Sequence, residues 1–328
     1  MRPAIVTGAT GGLGRVLVAS LLEQGRAVVA TGRNSDVGRE LQAMGARFVA
    51  ADLTTADLSA ILQDAGTVFH LAALSSPWGP EEDFITANIT ATERLLSAAQ
   101  AAGCPAFVFT STPSIYVQAS DQFDIDETTP LPSRLANAYA RTKLAAERIV
   151  LATDAPAMRT IAIRPRAVIG PYDTVLLPRL LRVAATGRMP LPRGGKAQIE
   201  PTDARDVVAA LLAAEAHIAQ AGGRAFNISS GVPITFKALA EHVFAAIHLD
   251  VRFVPMPVSL LLAIGAIQET IGHVWPGSRE PMLTRYGAMT LGWSQTFNLS
   301  AARTVLEWQP RHHPLAAIDW ALSEMRLA

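Results

Sequence analysis

Ala4-Ile5-Val6-Thr7-Gly8-Ala9-Thr10-Gly11-Gly12-Leu13-Gly14 decides the fold. Ala4–Val6 is a short apolar run with β-branched residues, and Leu13–Gln24 directly after it has helical spacing. The glycines sit in the turn between them. Gly8 permits a tight turn, Gly11 lets backbone approach a phosphate, and Gly14 allows close helix–strand packing. A pyrophosphate then rests against the free N–H groups at the helix start. With Thr10, Gly12 and Leu13, this turn is the expected dinucleotide cradle.

Outward from that turn the alternation continues. Val28–Ala30, Phe48–Ala50, Val68–His70 and Phe107–Thr110 read as strands, and Thr160–Arg164 as a sixth. Val37–Met44, Asp57–Leu62, Asn88–Ala102 and Tyr139–Leu151 read as helices. Parallel strands need crossover helices, so this order predicts an α/β protein with a Rossmann-type doubly wound parallel sheet. Residues 1–165 form the expected dinucleotide-binding domain, with the chain crossing back after it. Beyond, Pro and Gly cluster at 187–195 and 255–281, and strand-like pieces (Phe226–Ser229, Val251–Val254) lie between helices. Residues 166–328 are expected to form mainly a smaller C-terminal substrate-binding lobe.

The end of the second strand bears on which dinucleotide binds. An NAD site usually has a carboxylate there for the ribose hydroxyls. Here Ala30-Thr31-Gly32-Arg33-Asn34 offers none, and Arg33 can pair with a 2′-phosphate. NADP(H) is the preferred expectation over NAD(H), against the alternative of a solvated loop arginine. Asp52 and Leu53 after the third strand are placed at the adenine edge. Leu71, Ala72 and Ala73 after the fourth are small enough for backbone to pass beside a cofactor.

The chemistry is read from Tyr139-Ala140-Arg141-Thr142-Lys143. Four residues apart on a helix, a phenol and an ammonium share one face. A phenol of pKa about 10 is a poor base at neutral pH. A nearby ammonium and the positive charge of a bound nicotinamide are expected to favour the phenolate and lower that value, and Lys143 can also hold a nicotinamide ribose. Ser111-Thr112 ends the fifth strand, where open sheets bind ligands. Thr112 is expected to orient the reacting carbonyl or carbinol, with Ser111 as the alternative.

These features together resemble the extended short-chain dehydrogenase/reductase family (the NAD-dependent epimerase/dehydratase superfamily). The resemblance rests on the turn at 7–14, His70-Leu71-Ala72-Ala73, Asn88 with Thr92, Thr110-Ser111-Thr112, Tyr139-x-x-x-Lys143 and Arg164-Pro165-x-x-Val168-x-Gly170-Pro171. It implies Tyr139 as general acid/base, Lys143 as its support, Thr112 completing a triad, and Pro165 and Val168 against the nicotinamide. Ser76-Pro77-Trp78-Gly79 and Pro281-Met282-Leu283-Thr284-Arg285-Tyr286 are similar to the 3β-hydroxysteroid dehydrogenase-like and ketoreductase branch. That branch implies a hydrophobic carbonyl or alcohol substrate and a homodimer built through the helices at 88–102 and 139–151. Trp78, Tyr116, Arg166, Trp275 and Tyr286 are candidates near the substrate, with core or surface packing an equal account of the aromatic ones.

Composition removes other classes. The chain has 328 residues, half of them hydrophobic, with 28 basic and 28 acidic residues and no block of like charge. Nothing suggests nucleic-acid binding. Cys104 is the single cysteine, which suits a reducing cytoplasm. The N-terminus runs into the glycine turn with no apolar stretch of signal-peptide length. Val258–Ile267 is about half of what a membrane span needs. No histidine pair has ligand spacing and Asp124-Ile125-Asp126-Glu127 lacks calcium-loop partners, so no metal site is expected.

The expectation is therefore an NADP-dependent oxidoreductase interconverting a ketone and a secondary alcohol on a steroid-like, ketoacid or aromatic-ketone substrate. One rival is a nucleotide-sugar epimerase with tightly held NAD. Arg166, where such enzymes often carry Asn, argues against it, as does the missing strand-end acid. A non-catalytic NADP-sensing protein is the other; Tyr139 and Lys143 argue against that.

Overall fold

The computed structural model describes residues 2–274 and 280–327. Seven strands make the central sheet: β1 (Ala4–Thr7), β2 (Val28–Gly32), β3 (Arg47–Ala50), β4 (Thr67–His70), β5 (Ala106–Thr110), β6 (Arg159–Pro165) and β7 (Ala225–Ile228). They are parallel, in the order β7-β6-β5-β4-β1-β2-β3. After β3 the chain crosses back to lay β4 on the other side of β1. The reversal opens a crevice beyond the carboxyl ends of β1 and β4.

Alternation along the strands builds two cores. Val6, Val108, Ile161 and Ile163 face one way and meet Leu17 and Leu21 of α1 (Gly12–Glu23). Ile5, Phe107, Phe109 and Ala162 face the other way, against Leu95 and Ala99 of α3 (Ala91–Ala101) and Ala146 and Val150 of α4 (Ala138–Ala152). Between lies α2 (Ser35–Ala43), capped by the Asn34 side chain, which accepts from the Asp36 and Val37 amides. Both faces of the sheet are thus covered, as a parallel sheet requires. A third cluster, with Leu177, Leu180, Met189, Phe236, Leu239 and Ile318, forms its own core in the C-terminal region.

Three local differences from the sequence reading have physical causes. Phe226–Ser229, assigned to the smaller lobe, lies largely in β7 at the sheet edge, and α5 (Ala204–Ala216) packs on the β1–β5–β6 face. The chain therefore returns to the sheet well after residue 166. The helix expected at Asp57–Leu62 begins only at Ser59, because the Asp57 carboxylate accepts from the Ser59 amide and hydroxyl and turns the chain first. Ile85–Thr90, which overlaps the start of the helix expected at Asn88–Ala102, is one π-helical turn.

Candidate active site

At the cofactor end, Gly8 has φ +66°, and a Cβ there would lie 2.7 Å from the Ala72 amide nitrogen at the end of β4. A Cβ on Gly14 would lie 2.3 Å from the Gly8 carbonyl oxygen. Side chains are excluded at both positions, so the turn folds flat against β4. The helix α1 starts at Gly11 with no side-chain cap and no acid in its first turn. Its first N–H groups are left to a ligand, and their dipole favours an anion. Buried His70 bonds Thr7 Oγ1 through Nδ1 (2.7 Å) and Thr92 Oγ1 through Nε2 (2.9 Å). Burial, aided by the charge of Lys143, pushes its pKa down to about 3. The ring is neutral and ties β1, β4 and α3 together beneath the turn.

A cavity of about 1180 Å³ extends from this turn. Gly8, Thr10, Gly11, Gly12, Leu13 and Gly14 line one end, with Arg33, Asp52, Leu53, Leu71, Ala72 and Ala73 around them. Arg33 is exposed at the rim, close enough to lower the Asp52 pKa, after the larger effect of the Thr54 hydroxyl and amide. Pro165 and Val168 line the cavity further in. The uncapped helix start and the flattened glycine turn at the mouth of one continuous cavity fit a dinucleotide.

At the reacting end the same cavity is lined by Ser111, Thr112, Tyr139 and Lys143. Asn137 caps α4 by accepting from the Ala140 amide (2.9 Å), which fixes where Tyr139 enters the cavity. Lys143 is buried with Nζ 3.9 Å from the centre of the Phe109 ring, and burial pulls its pKa down to about 7, with Glu147 acting upward. Burial pushes Tyr139 up to about 12, with the neighbouring Thr112 hydroxyl acting downward and Tyr286 adding to the rise. The expected lowering counted the nicotinamide's positive charge together with the ammonium; the protein's own groups alone act in the opposite direction. The protein's own groups therefore hold Tyr139 as a neutral phenol, the form that donates a proton.

Around Thr112 the structure adds residues that sequence reasoning passed over. Thr112 Oγ1 donates to Ser114 Oγ (3.0 Å), and Ser114 Oγ is 2.8 Å from Tyr286 Oη. Ser114 was missed because a serine after a proline carries no motif signal. Of the aromatic candidates, Tyr286 lines the cavity. Tyr116 does not: it is fully buried in the core, where its hydroxyl accepts from Arg164 (2.5 Å) and faces Asn227 Oδ1 (3.4 Å). Trp78 stands outside the lining, which its neighbour Pro77 joins, and Trp275 lies outside the described residues. Arg166 lines the cavity and is buried.

Asn88 sits in the π-turn, and its carboxamide is engaged by backbone. Its Oδ1 accepts from Leu74 N (2.7 Å), and its Nδ2 donates to Leu74 O (3.2 Å) and Thr142 Oγ1 (3.1 Å). It fixes the irregular segment following Ala73 against α4. Beneath, Arg164 of β6 holds Glu147 of α4 through two buried hydrogen bonds (2.8 and 2.5 Å). Among the described residues there is no cluster of metal-ligating side chains, and no helix is long and apolar enough to cross a membrane.

A doubly wound sheet with a glycine cradle, and a Tyr/Lys helix beside a strand-end Thr, defines an oxidoreductase of the extended short-chain dehydrogenase/reductase type. The chain belongs to the NAD dependent epimerase/dehydratase family, whose model matches residues 4–229. It is 36% identical over 314 residues to the uncharacterized protein YbjS of Escherichia coli K12, covering 93% of this chain and 92% of that one. It is 33% identical over 319 residues to the 2-alkyl-3-oxoalkanoate reductase of Stenotrophomonas maltophilia, covering 94% of each. The solved structure of MoeE5 in complex with UDP-glucose and NAD superposes with a TM-score of 0.78 at 25% identity, covering 99% of both chains.

Proposed function

We propose that this chain is an NADPH-dependent reductase acting on a hydrophobic ketone, or on the corresponding secondary alcohol in reverse. The observation that carries the reading is that Thr112, Tyr139 and Lys143 line one cavity with the glycine turn. When bound there, the nicotinamide supplies the hydride. Tyr139 holds the proton for the carbonyl oxygen, Thr112 orients that carbonyl beside it, and Lys143 sits one helical turn on to hold ribose hydroxyls. Leu180, Met189, Phe236, Leu261 and Leu291 give the far part of the cavity an apolar wall suited to a hydrophobic substrate. Residues after 166 supply most of that wall, which is why we assign them mainly to substrate binding. Likeness to the oxoalkanoate reductase supports a ketone substrate.

The NADPH preference rests on Arg33 at the cavity rim and on β2 ending without a carboxylate. We further infer a homodimer through the outer faces of α3 and α4, and a cytoplasmic site of action for a chain whose one cysteine is free and buried.

Likeness to MoeE5 keeps the epimerase alternative in view. An NADPH-oxidation screen over ketosteroids, 3-oxo acids and aromatic ketones tests the reductase reading, with cofactor assayed after denaturation of the purified protein. Turnover of a ketone by protein that releases its cofactor freely is the expected result. Protein that carries tightly held NAD and leaves every ketone untouched would refute it.

A further inference from the structure

Arg166 follows Pro165 at the end of β6, and Ala167 after it has φ +43°, a conformation that side-chain-bearing residues rarely adopt. The backbone on either side is pinned. Arg166 N donates to the Ile228 carbonyl (2.8 Å), and Thr202 Oγ1 donates to the Arg166 carbonyl (2.5 Å). This strained link fixes where the side chain leaves the sheet. The guanidinium is buried and lines the cavity, its Nε has no hydrogen-bond partner, and it enters no ion pair among the described residues. Its burial also pulls its pKa down, while Tyr286 and then Glu200 act upward. Glu200 acts on it through space but makes no hydrogen bond with it among the described residues; the Glu200 carboxylate accepts from the Ser229 hydroxyl. Tyr286, whose hydroxyl is 2.8 Å from Ser114 Oγ beside Thr112, also acts on Arg166 and lines the same cavity.

A buried guanidinium with a donor left unmet is costly until an acceptor, best of all an anion, meets it. The cofactor's own anionic groups belong at the other end of the cavity, at the glycine turn and Arg33. An acceptor for the open donor of Arg166 is thus left to the substrate. Resting on the ketone-reductase reading above, we propose that Arg166 is a specificity-determining residue that binds a substrate carboxylate, making the substrate class a long-chain 3-oxo acid rather than a neutral ketone. Reduction turns its C=O into CH–OH: a hydride from the reduced nicotinamide dinucleotide goes to the carbonyl carbon and the Tyr139 proton to the oxygen. The carboxylate stays intact against Arg166, whose planar fork suits it in a way an ammonium does not.

The test measures binding rather than turnover. With NADPH saturating, so that no reaction follows, 3-hydroxydecanoate and its methyl ester are titrated calorimetrically into the wild type, Arg166→Met and Arg166→Lys. The wild type should prefer the acid by about ten- to a hundredfold. Arg166→Met should lose nearly all of that ratio, and Arg166→Lys should keep part of it. The NADPH affinity of both variants should stay within about twofold of wild type, since removing a charge-assisted hydrogen bond at the substrate end leaves the cofactor's own bonds in place. Equal binding of acid and ester by the wild type overturns the proposal even if Arg166→Met does not fold, and so does an unchanged ratio in Arg166→Met. If neutral ketones are still reduced in that event, the reductase reading survives alone. Binding of UDP-glucose with neither acid nor ester bound would overturn both.

Discussion

Tyr139 and Lys143 show how burial sets chemistry. The sequence places the two groups on one helix face but says nothing about how deep they lie, and burial by itself raises the phenol's pKa. Lys143, held down to about 7 from an ordinary value of 10.5, also predicts a pH dependence of stability. A lysine depressed in the folded state binds fewer protons there than when unfolded, so its penalty is absent above about 10.5 and complete below about 7. The gain in melting temperature of Lys143→Met over wild type should therefore grow as pH falls through this window and then level off. A gain that grows with rising pH would show that the ammonium is not desolvated. At the rim, Arg33→Ala should weaken NADPH by about ten- to a hundredfold while leaving NADH within about twofold, as measured by fluorescence titration. Similar losses for both cofactors would remove Arg33 from 2′-phosphate recognition.

At the scale of elements, α4 must be held at one height against β6 for Tyr139 to meet Thr112. The Glu147–Arg164 pair does this from inside the core, both side chains almost without solvent. Removing one partner leaves the other charge buried, so Glu147→Ala should destabilise the fold by about 3–5 kcal/mol in urea unfolding. A loss below about 1 kcal/mol, the range of surface ion pairs, would mean the site is positioned otherwise. Most of these elements were legible. β1, the glycine turn and α1 could be read because strand period, glycine spacing and helix period change within a few residues. The π-turn at Ile85–Thr90 could not, since the bonds from Asn88 to Leu74 that accompany it are tertiary. Gln122–Ile125 was missed as well. It is a short strand whose partner, Gln295–Phe297, lies far along the chain, and no local period marks either.

For the whole molecule, the order of elements is legible in the chain but its return to the sheet is not. β7 reads like any short apolar piece among helices, and only its pairing with β6 places it in the sheet. The candidate site divides in the same way. The glycine turn, Thr112, Tyr139 and Lys143 announce themselves by motif. The state of Arg166, the removal of Tyr116 to the core and the bond between Ser114 and Tyr286 follow from packing between distant segments. These segments close on one cavity, and the function proposed for it stands on Tyr139 delivering a proton to a reducible carbonyl there. The decisive comparison is Tyr139→Phe against wild type in NADPH consumption on a ketone found by screening, alongside the NADPH dissociation constant. The expected result is a loss of kcat of about a hundred- to ten-thousandfold with NADPH binding unchanged. A variant that keeps its kcat would contradict proton delivery by Tyr139.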